Sequence, residues 1–286
     1  MLIGDGAQDY KNNGHTGSVN YVPSQIVETE LLGETPSDNW YVCVNGDDVL
    51  PDMLIGRLSA QTPGEVTDII NKIILYDSAA QSESWEESVL LVADDDESIF
   101  GETSDIIASI VPHNYQVKKV YVGDYTDDSF VVDILQAMNK GNLFINYAGH
   151  GAVDQWGNWN DVRIFATVHL PYLRNKGKLA VVTIADCLNG FFPGDQHLYS
   201  LAEGFQRLQN KGAVAVWAPT GLSFPYGHQL LMSEFYKEIF EKGNYELGVA
   251  TTAAKINTFS LNNIWGELVE TYILFGDPAT RVPVAP

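Results

Sequence analysis

The sequence of 286 residues predicts an α/β protein with a mostly parallel central sheet that is covered by helices on both faces. Two observations carry this prediction. Short apolar runs alternate with amphipathic stretches along the chain, which is typical of repeated strand and helix units. Several runs, such as 143–147 and 179–184, are apolar almost throughout. Strands of this kind are buried on both faces, as they are in parallel sheets.

Residues 1–84 are interpreted as a smaller N-terminal α/β subdomain. The chain opens inside a strand pattern, so we expect this subdomain to be truncated at its start. Thr62 suits the N-cap position of a helix, and Pro63 and Glu65 suit its first turn. The predicted elements are a loop at 10–38, strands at 40–44 and 54–58, and a helix at 62–76.

Residues 85–286 predict a larger subdomain, which a polar segment separates from the first. Its apolar runs and amphipathic stretches predict alternating strands and helices. Strands are predicted at 89–93, 117–122, 143–148, 179–185 and 213–218, and helices at 103–111, 128–139, 199–210 and 228–242.

The charge of the chain is unevenly distributed, and it excludes some partners. The formal net charge is −21, and residues 1–140 hold 25 acidic against 6 basic residues. A field of this sign repels nucleic acid and anionic membranes and attracts cations or basic peptides, although a solubilising surface is the plainer interpretation. No apolar run reaches the roughly 20 residues that span a bilayer. We therefore expect a protein or peptide substrate, with no nucleic acid and no membrane segment.

Two residues that can carry chemistry lie where two predicted strands end. Strand 143–148 leads to His150 and strand 179–185 leads to Cys187, each beside glycines. Ligands bind at the carboxyl ends of strands in open α/β sheets, so His150 and Cys187 are predicted to face one cleft. An imidazole activates a neighbouring thiol, and the backbone N–H groups of Gly151 and Cys187 are the natural oxyanion donors. A lone His or Cys is usually structural, but the pair favours a cysteine peptidase.

The segments around this pair resemble the gingipain family of cysteine peptidases, within the caspase-like clan. The resemblance is carried by Asn146-Tyr147-Ala148-Gly149-His150-Gly151 and Ala185-Asp186-Cys187-Leu188-Asn189-Gly190-Phe191. It implies a caspase-like sheet, with residues 85–286 as the catalytic subdomain. It also implies an endopeptidase that works through a thioester acyl-enzyme, and an extracellular or cell-envelope location.

The resemblance implies two acidic site residues as well. Family members carry an acid near the catalytic His, and Asp95 matches this position better than Asp94 as the residue that orients His150. The run 94–97 is alternatively a solvated loop or a calcium site. Arginine-selective members place a further acid against the basic side chain of the substrate, and Asp105 is the candidate after a slip of one residue. Cleavage after basic residues is therefore expected, although Asp105 equally suits the first turn of a helix.

Aromatic residues near the two strand ends are candidates for binding substrate. Residues 217–226 follow a strand and are predicted to overhang the cleft, although an ordinary aromatic-rich loop is equally compatible. His197, in the loop after Cys187, is a further residue that could reach the cleft. The candidate substrate-binding residues are Trp156, Trp159, Ser223, Phe224 and Tyr226.

No cofactor is required for this chemistry, and no His/Cys cluster predicts zinc. Structural calcium is expected from the density of acids and because the resembling family often binds it. Candidate ligands lie at 94–97 and at Asp124, Asp127 and Asp128, but none forms the Asp-x-Asp-x-Asp-Gly loop of an EF-hand.

Three functions are compatible with the sequence. A peptidase and a sortase-like transpeptidase use the same dyad and differ in whether water or an amine takes the acyl group. A non-catalytic binding domain of the same fold is the third, and the presence of both His150 and Cys187 speaks against it. The Gly-x-Cys-x-Gly elbow of α/β-hydrolases is missing around Cys187, and the order of His before Cys excludes a papain-like enzyme.

Overall fold

The central sheet has eight strands, and the computed structural model describes residues 1–7, 11, 13, 19–78, 84–192 and 199–284. The strands of the chain are β1 (Leu2–Ile3), β2 (Gln25–Thr29), β3 (Gly33–Ser37), β4 (Arg57–Leu58), β5 (Ser88–Ala93), β6 (Gln116–Tyr121), β7 (Phe144–Ala148), β8 (Gly151–Ala152), β9 (Gln155–Trp156), β10 (Asn158–Trp159), β11 (Val162–Arg163), β12 (Ala180–Ala185), β13 (Ala213–Pro219) and β14 (Tyr272–Phe275). The helices are α1 (Pro63–Ser78), α2 (Ser98–Ile110), α3 (Ser129–Lys140), α4 (Leu201–Arg207), α5 (Pro225–Phe240), α6 (Leu247–Leu261) and α7 (Gly266–Thr271).

The order of strands across the sheet creates a crevice at its carboxyl edge. The order is β1-β4-β14-β13-β12-β7-β5-β6, and every pairing is parallel except that of β13 with β14. From β5 the chain first adds β6 on one side and then returns to add β7 on the other. The connections that leave β5 and β7 therefore diverge, and such a switch point is where ligands bind in sheets of this kind.

Helices cover both faces of the sheet, as predicted. One apolar core contains Phe100 of α2, Phe235 of α5 and Ala250 of α6. The other core contains Phe130 of α3 and Phe205 of α4. The predicted mostly parallel sheet with two helical layers is therefore confirmed. Within the described part of the chain, no helix is long and apolar enough to cross a membrane.

Some predicted elements differ from the observed ones. Residues 40–44 do not form a strand, because the chain makes a 3₁₀ helix at Asn39–Val42. Within the predicted loop at 10–38, β2 and β3 form an antiparallel hairpin with Glu28 opposite Glu34. The hairpin lacks the strict apolar alternation that would have revealed it.

The N-terminal residues extend the central sheet. Strand β4 pairs with β1 on one side and β14 on the other, so residues 1–84 add two strands to the sheet built by the rest of the chain. Ile69 and Ile73 of α1 join the same apolar core as α2 and α5. The boundary near residue 84 stays a prediction, but the residues before it share their core with those after it.

A buried ion pair fixes this end of the sheet. The guanidinium of Arg57 donates to both carboxylate oxygens of Asp38 at 2.7 Å, and both side chains are almost fully buried. Arg57 also donates to the carbonyl oxygens of Gly4 and Val22, and its guanidinium lies 4.4 Å from the ring centroid of Phe192. Nε, Nη1 and Nη2 of Arg57 thus all donate hydrogen bonds, and they connect β4 to the segments that contain Gly4, Val22 and Asp38.

Replacing Arg57 by Met is expected to lower the free energy of unfolding by about 3–5 kcal/mol, because it leaves the carboxylate of Asp38 buried without its cation. Urea unfolding monitored by circular dichroism measures this change. The matched control is Arg163→Met, which removes a half-exposed guanidinium 3.7 Å from Asp154 and should cost less than about 1 kcal/mol. Equal losses in the two variants would contradict the importance of the buried pair.

Candidate active site

The parallel pairing of β7 and β12 brings two reactive side chains to one edge of the sheet. Ala148 is the register partner of Ala185, and the Gly149 N–H donates to the carbonyl of Ala185 at 3.1 Å. His150 and Cys187 each follow their member of this pair by two residues. Both predicted site residues therefore leave the sheet side by side, at the carboxyl ends of neighbouring strands.

Cys187 lies in a strained and partly buried turn. Its Sγ is 3.8 Å from the carbonyl oxygen of Ser223, and burial raises the pKa of the Cys187 thiol to about 11. Leu188 has a φ of 66°, a left-handed conformation that costs a non-glycine residue about 1–2 kcal/mol. The Leu188 N–H donates to the carbonyl of Gly221 at 3.2 Å, which holds the turn in place. The resting thiol is therefore neutral at pH 7 and needs a base.

The imidazole of His150 is accessible and has aromatic and acidic neighbours. About half of its side chain, 54%, is exposed. The imidazole packs edge-to-face with the ring of Phe100, with 5.3 Å between the two ring centroids. Nε2 lies 3.8 Å from Asp96 Oδ2 and 3.7 Å from Glu97 Oε1. No hydrogen bond joins His150 directly to Cys187, an arrangement that is common before substrate binds.

The main chain of His150 is fixed by a buried polar network. Its N–H donates to Asp94 Oδ2 at 3.1 Å, and its carbonyl accepts from the Tyr147 hydroxyl at 2.8 Å. That hydroxyl in turn accepts from the N–H of Gly157 at 2.9 Å. Burial raises the pKa of the Asp94 carboxyl above its usual range. Asp94 thus supports the backbone of His150, which the sequence did not predict.

The acids that lie near the imidazole of His150 are one and two residues further along the chain than the predicted Asp95. The carboxylates within 4 Å of the imidazole belong to Asp96 and Glu97, and Asp95 makes no such contact. The Cβ of Asp95 instead faces Gly123. The expectation for Asp95 is corrected accordingly, because the turn after β5 keeps Asp94 buried and directs the following side chains outward.

Gly151 is required by the close approach of the two strand ends. A Cβ at this position would lie 2.2 Å from Asp186 Oδ2 and 2.6 Å from the carbonyl oxygen of Cys187. Only glycine therefore lets the segment after His150 pack against the segment that carries Cys187. The assignment of the Gly151 and Cys187 N–H groups as oxyanion donors stays a prediction.

The loop after β13 forms one wall beside the nucleophile. Its backbone is anchored by the Thr220 N–H, which donates to the carbonyl of Thr271 at 2.8 Å. The carbonyl of Ser223 faces the thiol of Cys187, and the following Phe224 and Tyr226 are 61% and 54% exposed. Ser223 thus lies beside Cys187, and the roles of Ser223, Phe224 and Tyr226 in binding substrate stay predictions.

Two other predicted substrate contacts are corrected. Trp156 is fully buried and stacks on Tyr147 with 4.3 Å between ring centroids, so it supports the site from below and cannot line a subsite. Asp105 lies on the exposed side of α2, where Lys119 Nζ at 2.5 Å and the Tyr121 hydroxyl at 2.6 Å contact one carboxylate oxygen. These contacts lower the pKa of the Asp105 carboxyl and occupy it with partners from β6.

The remaining candidates concern metals and His197. Among residues that the structure describes, no group of three or more His, Cys, Asp or Glu side chains could hold a metal ion. Asp127 accepts a hydrogen bond from the N–H of Ser129 at the start of α3. His197 lies outside the described residues. Structural calcium therefore stays a prediction.

A cysteine and a histidine side by side at the carboxyl edge of a parallel sheet are an arrangement that suits a thiol-dependent hydrolase. The sequence profile of peptidase family C25 matches residues 1–283. The chain belongs to this family, whose members are cysteine-type endopeptidases. The predicted resemblance to gingipains is thereby confirmed.

Similar proteins support the same assignment. Gingipain R2 of Porphyromonas gingivalis is 26% identical over an alignment of 301 positions, gaps included, that covers 96% of this chain and 39% of that protein. Lys-gingipain W83 of Porphyromonas gingivalis is 30% identical over 188 residues, 63% of this chain and 10% of that protein. The crystal structure of the Arg-specific cysteine proteinase gingipain R has a TM-score of 0.81 at 23% identity and is matched over 98% of this chain and 63% of that one. The caspase-like fold is confirmed, and the chain spans well under half of either curated relative.

Proposed function

We propose that this chain is a cysteine endopeptidase that hydrolyses peptide bonds with Cys187 as nucleophile and His150 as its base and acid. The observation that carries the proposal is the register of Ala148 with Ala185, from which both residues emerge at one edge. Membership of family C25 supports the same reaction.

The proposed reaction begins with a neutral thiol, because burial keeps the pKa of Cys187 high. When substrate binds, His150 takes the thiol proton as Sγ attacks the carbonyl carbon of the peptide bond. The N–H groups of Gly151 and Cys187 receive the oxyanion. The imidazolium then gives its proton to the leaving amine, the C–N bond breaks, and a thioester remains. Water, deprotonated by His150, hydrolyses the thioester and restores the thiol.

We assign the orienting role to Asp96 and Glu97 in place of Asp95. Their carboxylate oxygens lie 3.8 Å and 3.7 Å from Nε2 of His150. Nearby negative charge stabilises the imidazolium that forms during attack. Both carboxylates are about half exposed, so each contributes less than a buried partner would. The ring of Phe100 also packs against the imidazole of His150, with 5.3 Å between the ring centroids.

The proposal is tested by incubating the protein with a peptide panel, with and without a small amine, and identifying the products by mass spectrometry. We expect a free carboxylate as the main product, even when the amine is present. Predominant amide products would instead assign the chain to acyl transfer. If no peptide is cleaved and no acyl-enzyme accumulates on Cys187, the chain acts as a binding domain and the proposal fails.

Cleavage after Arg or Lys is part of the proposal. It is supported by the similarity to Lys-gingipain and to the Arg-specific cysteine proteinase gingipain R, and by the net charge of −21. Asp105 does not carry this preference, because Lys119 and Tyr121 occupy its carboxylate. Asp105→Asn is therefore expected to leave kcat/KM for Arg peptides within about 2-fold of the unsubstituted protein. A loss of about 100-fold confined to Arg and Lys peptides would restore Asp105 as the specificity residue.

A structural calcium ion and an extracellular or cell-envelope location also belong to the proposal. Both are supported by the resemblance to gingipains. The calcium ion is also supported by the net charge of −21, which favours cation binding.

A further inference from the structure

An unpaired carboxyl group lies directly beneath the nucleophile. Asp186 precedes Cys187, and only 1% of its surface is exposed. Neither of its carboxyl oxygens accepts a hydrogen bond of normal geometry, and it forms no ion pair with any described residue. The backbone N–H of Asn189 lies near enough to oppose in part the effect of burial on its pKa. An ionised carboxylate in such surroundings would cost several kcal/mol, so the group is expected to hold its proton. Burial accordingly raises the pKa of Asp186 well above its usual range.

The carboxyl of Asp186 packs against the residue that follows the catalytic histidine. Its Oδ2 occupies the place that a Cβ of Gly151 would need, with only 2.2 Å between the two positions. Three residues further on, the Asn189 side chain donates to the carbonyl oxygens of Ala152 and Gln155. Segment 186–189 therefore holds the β8–β9 hairpin, and with it the main chain next to His150.

The surroundings of Asp186 supply no compensating charge. The Tyr272 hydroxyl donates to the carbonyl of Ile184, and the Tyr147 hydroxyl is used by His150 and Gly157. Both are therefore engaged elsewhere. The ionisable groups that interact with the carboxyl are Tyr147, Tyr272 and Cys187. Beyond them, Asp94 contacts the hydroxyl of Tyr147 and His228 contacts the hydroxyl of Tyr272.

We propose that Asp186 is a positioning residue that works as a neutral acid, holding Gly151 and Cys187 together, and that its ionisation sets the alkaline limit of activity. A negative charge at Asp186 opposes both the thiolate of Cys187 and the oxyanion of the substrate, since like charges disfavour each other in a buried site. This inference rests on the proposed role of Cys187 as nucleophile.

The test compares Asp186→Asn, Asp186→Ala and the surface control Asp105→Asn between about pH 6 and about pH 10. The rate of alkylation of Cys187 by iodoacetamide, followed on the Cys187 peptide by mass spectrometry, reports thiolate formation without requiring peptidase activity. The kcat/KM for a peptide substrate is measured over the same range. Asn keeps the shape of the neutral acid and cannot ionise, whereas Ala removes the packing.

We expect Asp186→Asn to match the unsubstituted protein within about 3-fold at pH 6, to lose the alkaline fall in kcat/KM, and to alkylate about 10-fold faster at about pH 9. Asp186→Ala should lose about 10-fold in kcat at every pH, because Gly151 is no longer held. Asp105→Asn should follow the unsubstituted protein throughout.

Unchanged alkaline behaviour in Asp186→Asn, or unchanged kcat in Asp186→Ala, would overturn the proposal. If Asp186→Asn does not fold, the unsubstituted protein alone decides: its alkylation rate should rise in two steps with pH, and a single thiol ionisation would overturn the proposal. If no variant cleaves peptides but the alkylation profiles differ as expected, the proposed peptidase function fails while the influence of Asp186 on the thiol stands.

Discussion

Cys187→Ala is expected to lower kcat for peptide hydrolysis by at least about 1,000-fold, because it removes the atom that forms the thioester. The substitution replaces the –CH2–SH side chain by –CH3 and so removes only one partly buried sulfur atom. The free energy of unfolding should therefore change by less than about 1–2 kcal/mol. Peptide hydrolysis followed by mass spectrometry measures the first effect, and urea unfolding measures the second.

Cys43→Ala is the matched control for this substitution. Cys43 is the other cysteine of the sequence and exchanges hydrogen bonds with Asn39 at 3.2 Å and 3.3 Å. Its kcat should equal that of the unsubstituted protein. Peptide cleavage that survives in Cys187→Ala at an unchanged rate would remove Cys187 from the mechanism.

Gly151→Ala should lower kcat by about 100-fold and destabilise the fold by about 1–3 kcal/mol. The added methyl group would lie 2.2 Å from Asp186 Oδ2 and 2.6 Å from the carbonyl oxygen of Cys187, and the second of these atoms belongs to the main chain and cannot rotate away. The segment after His150 must therefore move by a distance that misaligns the imidazole and the thiol. Steady-state kinetics and thermal unfolding measure the two effects.

Gly101→Ala is the control for this substitution, since its Cβ would meet only Tyr121 Cε2, at 3.9 Å. Alanine is favoured over glycine within α2, so this variant should keep its activity and gain up to about 1 kcal/mol of stability. Normal kinetics in Gly151→Ala would show that the two strand ends tolerate separation, contrary to the geometry of the site.

The main features of the fold could be predicted because they depend on local patterns. Apolar runs of five or six residues mark β7 and β12, and their carboxyl ends locate His150 and Cys187 within the sheet. The hairpin of β2 and β3 and the antiparallel strand β14 were not predicted. Their stability comes from contacts with distant residues, as where the Ser37 hydroxyl donates to the carbonyl of Glu270.

The rest of the site depends on small shifts that local patterns do not determine. Helix α2 begins at Ser98, five residues before its predicted start, and the contact of Asp105 with Lys119 comes from the neighbouring strand β6, which no local pattern near Asp105 indicates. Trp156 was expected to bind substrate, but β8 and β9 fold back and bury it against Tyr147. Which acid after β5 meets His150 depends on the torsion angles of a short turn.

The register of β7 with β12 has a consequence for the folding of this chain. His150 and Cys187 are 37 residues apart in the sequence, and they meet only after a parallel pairing that closes a long loop. Pairings of this kind are among the slower events of folding, because the entropy of loop closure is lost before contacts compensate for it. A growing or partly folded chain therefore carries both reactive groups without their mutual geometry. The activity proposed for this chain is therefore expected only after β7 and β12 have paired.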